Sequence, residues 1–117
     1  MSIHLKRIYE KPTRQDGCRV LVDRVWPRGL TKEQARIDAW LKALAPSHGL
    51  RKWFNHEPSK WNEFKTRYFK ELDEHREAVE ELAAKAQTGQ VTLVFAAKNE
   101  RFNNAIALKE YLKSKQV

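Results

Sequence analysis

At 117 residues the chain is long enough to bury one hydrophobic core and too short for two. Its single cysteine, Cys18, excludes an intramolecular disulfide framework, and its longest nearly unbroken apolar stretch, Val91 to Ala97, falls far short of a membrane span. The formal net charge of +8, from 23 Lys and Arg against 15 Asp and Glu, suits an anionic partner or, alternatively, a surface charged for solubility.

Charged residues make up 32% of the chain and hydrophobic ones 41%, but four Trp, five Phe and three Tyr supply large buried areas. A core is therefore expected without a disulfide or a structural metal. Met1 to Arg7 holds no long apolar run, so no signal peptide is expected, and the cytosol is the expected compartment. The positive charge is uneven. Residues 1–36 hold nine bases and four acids, whereas residues 61–90 hold five bases and seven acids. Positive potential therefore gathers on the strands and their exit loops rather than on the central helices.

Taken in chain order, Ile3 to Tyr9 alternates loosely, as a strand with one wet face does. Glu10 to Gly17 carries Pro12, Asp16 and Gly17 and reads as a loop. Cys18 to Asp23 is apolar on both faces in its middle, the pattern of an interior strand, with Cys18 as a small buried hydrophobe. Trp26-Pro27-Arg28-Gly29 then breaks any regular pattern. Thr31 with Gln34 forms a capping box, and Ile37, Trp40, Leu41 and Leu44 fall at helical spacing up to Pro46, predicting one amphipathic helix. A short aromatic segment, Leu50 to Phe54, follows. Ser47 and Ser59 read as helix caps. Trp61, Phe64, Tyr68 and Leu72, then Val79, Leu82 and Ala86, line two helical stretches, with a break expected in the polar run Asp73 to Arg76. Gly89 terminates the second. Val91 to Ala96 is the strongest strand, and a last helix opens at Asn103 or Asn104.

Buried strands separated by helices predict an α/β fold: a small, mostly parallel sheet of three or four strands covered by helices, three-layered and Rossmann-like, formed by residues 1–117 as a single domain. The connection after the first strand is short for a parallel crossover, which leaves that strand open between a parallel and an antiparallel edge.

Ligands of parallel sheets bind beyond the carboxyl ends of the strands. That rule collects Tyr9 from the first strand, Asp23, Arg24, Trp26 and Arg28 from the second, and Lys98, Asn99, Asn103 and Asn104 from the third. Cations, one carboxylate, an aromatic plate and helix N–H groups together suit an anion. Pro27 and Gly29 stiffen the turn so that Arg28 is aimed in one direction. Asp23, Arg28 and Lys98 are the candidate catalytic set; the others are candidate ligand contacts. A purely structural alternative stands beside it, in which Asp23 pairs with Arg19, Arg24 or Lys98 to hold the strand ends and Trp26 fills the core.

Trp53, Phe54, His56 and Trp61 lie among Arg51, Lys52 and Lys60, a mixture that holds single-stranded nucleic acid when the rings are free and builds core when they are not. His4, His48, His56, His75 and Cys18 have no zinc-ligand spacing, and the four glycines form no phosphate loop, so neither metal nor cofactor is expected.

The run Arg19 to Leu30, containing Asp23-Arg24-Val25-Trp26-Pro27-Arg28-Gly29, resembles the hallmark of the YeaO-like family, a bacterial domain-of-unknown-function family (DUF 488). Leu50 to Phe54 with His56, Phe64 to Leu72, and Val91 to Lys98 agree, so the likeness covers nearly the whole chain. The resemblance implies that Asp23, Arg24, Arg28 and Lys98 match typical family features. Relatives often carry His-Asn before the final helix where this chain has Phe102-Asn103, so no role for that His carries over. The family brings no settled activity. Three functions stay open: a pocket for a small anionic or phosphorylated ligand, with or without catalysis; a nucleic-acid-binding module; and a non-enzymatic interaction domain.

Overall fold

The computed structural model describes residues 2–115. Four strands, β1 (Ser2–Arg7), β2 (Cys18–Leu21), β3 (Ala39–Trp40) and β4 (Gln90–Phe95), form one sheet in the order β1-β4-β2-β3. Every neighbouring pair is parallel. β4, apolar on both faces, takes the interior position between β1 and β2, as a strand buried on both sides must. β1 is an edge strand and parallel. Its short connection to β2 is sufficient because the two are not neighbours in the sheet: the ten residues 8–17 only return the chain past β4 to the opposite end, a distance of about 20 Å for a six-residue strand.

Alternation along the strands divides the interior into two clusters. Ile3, Val20, Val22, Val91, Leu93 and Phe95 face the larger one, which α2 (His48–Phe54), α3 (Trp61–Asp73), α4 (Arg76–Thr88) and α5 (Asn104–Ser114) cover. Phe64, Tyr68 and Leu72 of α3 and Leu108 and Leu112 of α5 form its centre. Ile8, Leu21 and Val94 face the smaller one, closed by Ala35 and by the half-buried Trp26, Leu30, Ile37 and Trp40. The predicted break between the long helices falls where the polar run lies, α3 ending at Asp73 and α4 starting at Arg76. Ser47 caps α2, its hydroxyl accepting from the Leu50 N–H at 3.1 Å. Ser59 caps nothing; it sits inside a 3-10 turn, Pro58–Lys60, that leads into α3.

One predicted element is replaced. The stripe Ile37, Trp40, Leu41, Leu44 does not form a helix. α1 spans only Lys32–Ala35, capped by the expected Thr31–Gln34 box, and stops because Arg36 adopts the left-handed conformation at φ 48°. The chain then runs out as β3, pairing Ala39 with Val20 and Trp40 with Leu21 and so closing the open edge of β2. The four apolar residues separate accordingly. Ile37 and Trp40 pack into the smaller cluster, while Leu41 and Leu44 pack into the larger. Period 3.6 was present, but an unpaired central strand next door outweighed it.

A polar knot sits before β2, on the face that also carries Thr92. Asp16 is buried and receives Arg19 Nη1 at 2.7 Å and Lys6 Nζ at 3.1 Å, with the Thr13 N–H and hydroxyl each at 3.0 Å. Arg19, only 3% exposed, also donates to the Ala35 and Arg36 carbonyls, and its own N–H donates to Asp38. Burial on its own would push the Asp16 carboxyl up, but the Thr13 N–H, Lys6, Arg19 and the Thr13 hydroxyl together bring it down to about 2. Among the described residues no buried side-chain polar atom is left without a partner.

Candidate functional site

The sheet delivers three chain segments to one edge, beyond the carboxyl ends of β1, β2 and β4. The first leaves β1 at Arg7, whose Nε and Nη2 donate to the carbonyls of Ala97 and Ala96 at 3.0 and 3.2 Å. Ile8 continues the ladder to Phe95, and Tyr9 turns outward, with 44% of its surface exposed. The second segment is the turn Asp23 to Gly29. Trp26 is drawn inward, donating through Nε1 to the Leu30 carbonyl at 2.7 Å and meeting Trp40 edge-on at 5.4 Å. Gly29 holds φ +80°, a conformation that strains any side-chain-bearing residue, although the space beside it is open. Arg24, Val25 and Arg28 remain exposed, Val25 at 62%. The Tyr9 hydroxyl donates to the Arg28 carbonyl at 3.0 Å and ties the first segment to the second.

The third segment runs from Ala96 into α5. The Asn99 carboxamide oxygen accepts from the N–H groups of Arg101 and Phe102 at 2.8 and 3.0 Å, which shapes the loop. Asn103 caps α5, its Oδ1 accepting from the Ile106 N–H at 2.9 Å while its Nδ2 donates to the Asn99 carbonyl. It is 3% exposed with both ends of its amide engaged inside the fold. Asn104 faces the other way. Its Nδ2 donates to the Val22 carbonyl at 3.0 Å and to Asp23 Oδ1 at 3.2 Å.

Asp23 is the joint of this edge. Its Oδ2 accepts from the Ala96 N–H at 2.8 Å, its Oδ1 from Asn104, and its backbone carbonyl from Trp40 Nε1 at 2.7 Å. One carboxylate thus binds the end of β2 to the end of β4 and to the first turn of α5. No cation lies within 4.0 Å of it among the described residues, so the pairing of Asp23 with Arg19, Arg24 or Lys98 does not form; Arg19 belongs to Asp16 instead. Burial pushes the Asp23 carboxyl up, against the smaller opposing pull of the Ala96 N–H, Asn104 and the charge of Arg51.

Arg51, on α2, is the residue that sequence reading missed here. It was legible only as one cation among aromatic neighbours, and its nearness to Asp23 depends on how α2 docks. Arg7 was likewise read only as part of a strand. Arg24 leans toward the Pro46 carbonyl at a long 3.4 Å, and Lys98 stands exposed after β4. Among the described residues, Arg7, Arg24, Arg28, Arg51 and Lys98 all lack a carboxylate within 4.0 Å.

The other aromatic group is core. Phe54 and Phe64 are buried, Trp61 stacks on Phe64 at 5.6 Å and meets Phe102 edge-on at 5.4 Å. Trp53 is half-buried and already carries Lys60 and Arg67 at 5.0 and 4.3 Å from its ring. No group of three His, Cys, Asp or Glu among the described residues is arranged to hold a metal ion. No helix among them is long and apolar enough to cross a membrane.

Comparison with known proteins agrees on one family. The family model described as "Inactive DUF488-N3 subclade" matches residues 2–116. The chain is 40% identical over 114 residues to the "Uncharacterized protein YeaO" of Escherichia coli (strain K12), covering 97% of this chain and 99% of that one. It is 38% identical over 110 residues to "Uncharacterized protein Rv3073c" of Mycobacterium tuberculosis (strain ATCC 25618 / H37Rv), covering 94% and 92%. No solved structure matches it.

Proposed function

The chain belongs to the DUF488 family, in the subclade described as inactive, and from that premise we propose that it binds a small anionic or phosphorylated ligand at the carboxyl edge of its sheet without transforming it. The observation that carries this reading is the imbalance of charge at that edge. Asp23 is satisfied by an N–H and a carboxamide and feels the charge of Arg51, while Arg24, Arg28 and Lys98, on the segments that leave the same edge, have no carboxylate within 4.0 Å among the described residues. Elsewhere in the fold Arg19 and Lys6 are paired with a buried acid, Asp16. Cations grouped without partners are what an incoming anion requires.

Each residue then has a distinct role. Arg28 is presented by a turn whose shape Pro27, Gly29 and the Tyr9 hydroxyl fix, so that little backbone freedom is lost on binding. Arg24, Arg51 and Lys98 neutralise the ligand's charge. Asp23 is a strut: both oxygens accept hydrogen bonds from the protein, and its negative charge holds Arg51 near the edge. Trp26 and Asn103 act from behind, setting the turn and the loop. The setting is the cytosol, where the free Cys18 thiol stays reduced.

Calorimetric titration with pyrophosphate at low ionic strength tests this. Binding is expected, weakened about ten- to a hundredfold by Arg28→Ala, the loss of one charge-assisted contact. Absence of binding, or equal binding by the wild type and Arg28→Ala, contradicts it.

A further inference from the structure

We infer that the anion this edge receives is the phosphate of a nucleotide, whose base lies against Tyr9; the inference rests on the anion-binding reading above and names its ligand class. Four cations alone would accept inorganic phosphate, a sugar phosphate or a carboxylate equally well. Tyr9 is what distinguishes them. Large hydrophobic side chains that are exposed among the described residues are Tyr9 and Val25, and both belong to this edge. The Tyr9 ring is also held in place from two directions. Its hydroxyl is bonded to the Arg28 carbonyl at 3.0 Å, and the Arg7 guanidinium lies 5.3 Å from the ring centroid.

Arg7 is itself fixed, by its two hydrogen bonds to the carbonyls of Ala96 and Ala97. Arg7 and Tyr9 thus form a preorganised plate of cation and aromatic ring. A flat nucleobase stacks on such a surface, because both a phenol ring and a guanidinium plane accept a π-face. The Tyr9 ring adds nothing to the binding of a phosphate alone. The bond from the Tyr9 hydroxyl to the Arg28 carbonyl ties the plate to the backbone of the residue whose side chain would meet the phosphate, and in a nucleotide a single sugar separates base from phosphate. Lys98 follows Ala97, whose carbonyl holds Arg7, and is exposed. Stacking recognises any base, so the site is predicted to be tolerant of base identity. The Trp53 ring is half-buried and carries two cations, Lys60 and Arg67, whereas the Tyr9 ring is exposed and carries one.

The experiment compares AMP and ADP with ribose 5-phosphate and pyrophosphate by calorimetry, on the wild type, Tyr9→Ala and Tyr9→Phe. The nucleotides are expected to bind about five- to a hundredfold more tightly than the base-free phosphates, an advantage lost in Tyr9→Ala and kept in Tyr9→Phe. Thermal unfolding of both variants checks that the exposed position has not altered the fold. Should ribose 5-phosphate and AMP bind alike, or Tyr9→Ala keep the preference, the nucleotide inference is overturned while anion binding stands. Should neither pyrophosphate nor any nucleotide bind, both readings fall together. A single-stranded oligothymidylate completes the series. Tighter binding of the oligomer, with a steep loss on adding salt, assigns the nucleotide to a strand; binding of AMP and ADP in preference to it assigns a free nucleotide.

Discussion

The two ends of β2 carry one carboxylate each, and they are built in opposite ways. Before the strand, Asp16 is buried in a closed knot with Lys6, Arg19 and Thr13, and its acidity is raised. After the strand, Asp23 is held by an N–H and an amide, with no cation within 4.0 Å among the described residues, and its acidity is lowered. The first arrangement pairs its carboxylate with two cations. The second holds its carboxylate with neutral donors, and only the charge of Arg51 acts on it. Their difference separates a carboxylate held by cations from one held by neutral donors.

Removing the acid at each end sharpens that contrast. Asp16→Ala strands the Arg19 guanidinium in the interior, and is expected to lower unfolding free energy by about 3–5 kcal/mol in urea denaturation. Asp23→Ala removes the acceptor for the Ala96 N–H and for Asn104 but buries no orphaned cation, so a smaller loss of about 1–3 kcal/mol is expected. Equal losses would break the distinction between the two ends.

Acid titration separates the ends by sign. Asp16 has a folded pKa of about 2, below its ordinary 3.8, so its contribution to stability is full above about 3.8 and disappears as pH falls toward 2. Asp23 has a raised folded pKa, so its contribution is full below its ordinary 3.8 and is lost as pH rises through the raised value. Relative to Asp23→Asn, the wild type should therefore gain stability on acidification from neutral pH to about 4. Relative to Asp16→Asn it should lose stability only below about 4. Urea midpoints measured across that range check both slopes, and the same sign at both ends would contradict the account.

The smallest effect on stability is expected where the effect on binding is greatest. Arg28→Ala and Lys98→Ala remove exposed side chains that the fold does not pair, and each should change unfolding free energy by no more than about 0.5 kcal/mol. A loss comparable to that of Asp16→Ala would mean that these cations hold the sheet together after all.

Much of this was legible in the residues. The doubly apolar runs at Val20 and Val91 announced a buried parallel sheet, and Thr31–Gln34, Ser47 and Asn103 marked helix starts by their chemistry. The carboxyl-end rule gathered Tyr9, Asp23, Arg24, Arg28 and Lys98, and the topology β1-β4-β2-β3 brings their segments to one edge. What stayed hidden depended on tertiary neighbours. Ile37 to Leu44 has helical spacing, yet Ala39–Trp40 pairs with the open side of β2 as a strand and Lys42–Leu44 forms a 3-10 turn. Asp16 lay in an apparent loop three residues from Arg19, and only the folding of residues 8–17 over Thr92 makes their contact a buried one. Arg51 reaches the edge through the docking of α2, for which no local signal exists. Asn103 and Asn104 look alike in sequence, but the first turns inward as a cap and the second outward onto Asp23.

The contrast between the two ends of β2 is tested most directly by titrating pyrophosphate into isotope-labelled protein and following each backbone amide by NMR. The account predicts saturable shifts at Arg24, Arg28, Lys98 and Asn104, with Asp16 and Arg19 unmoved. Shifts centred on Asp16 and Arg19, or scattered over the basic surface without saturation, would contradict it.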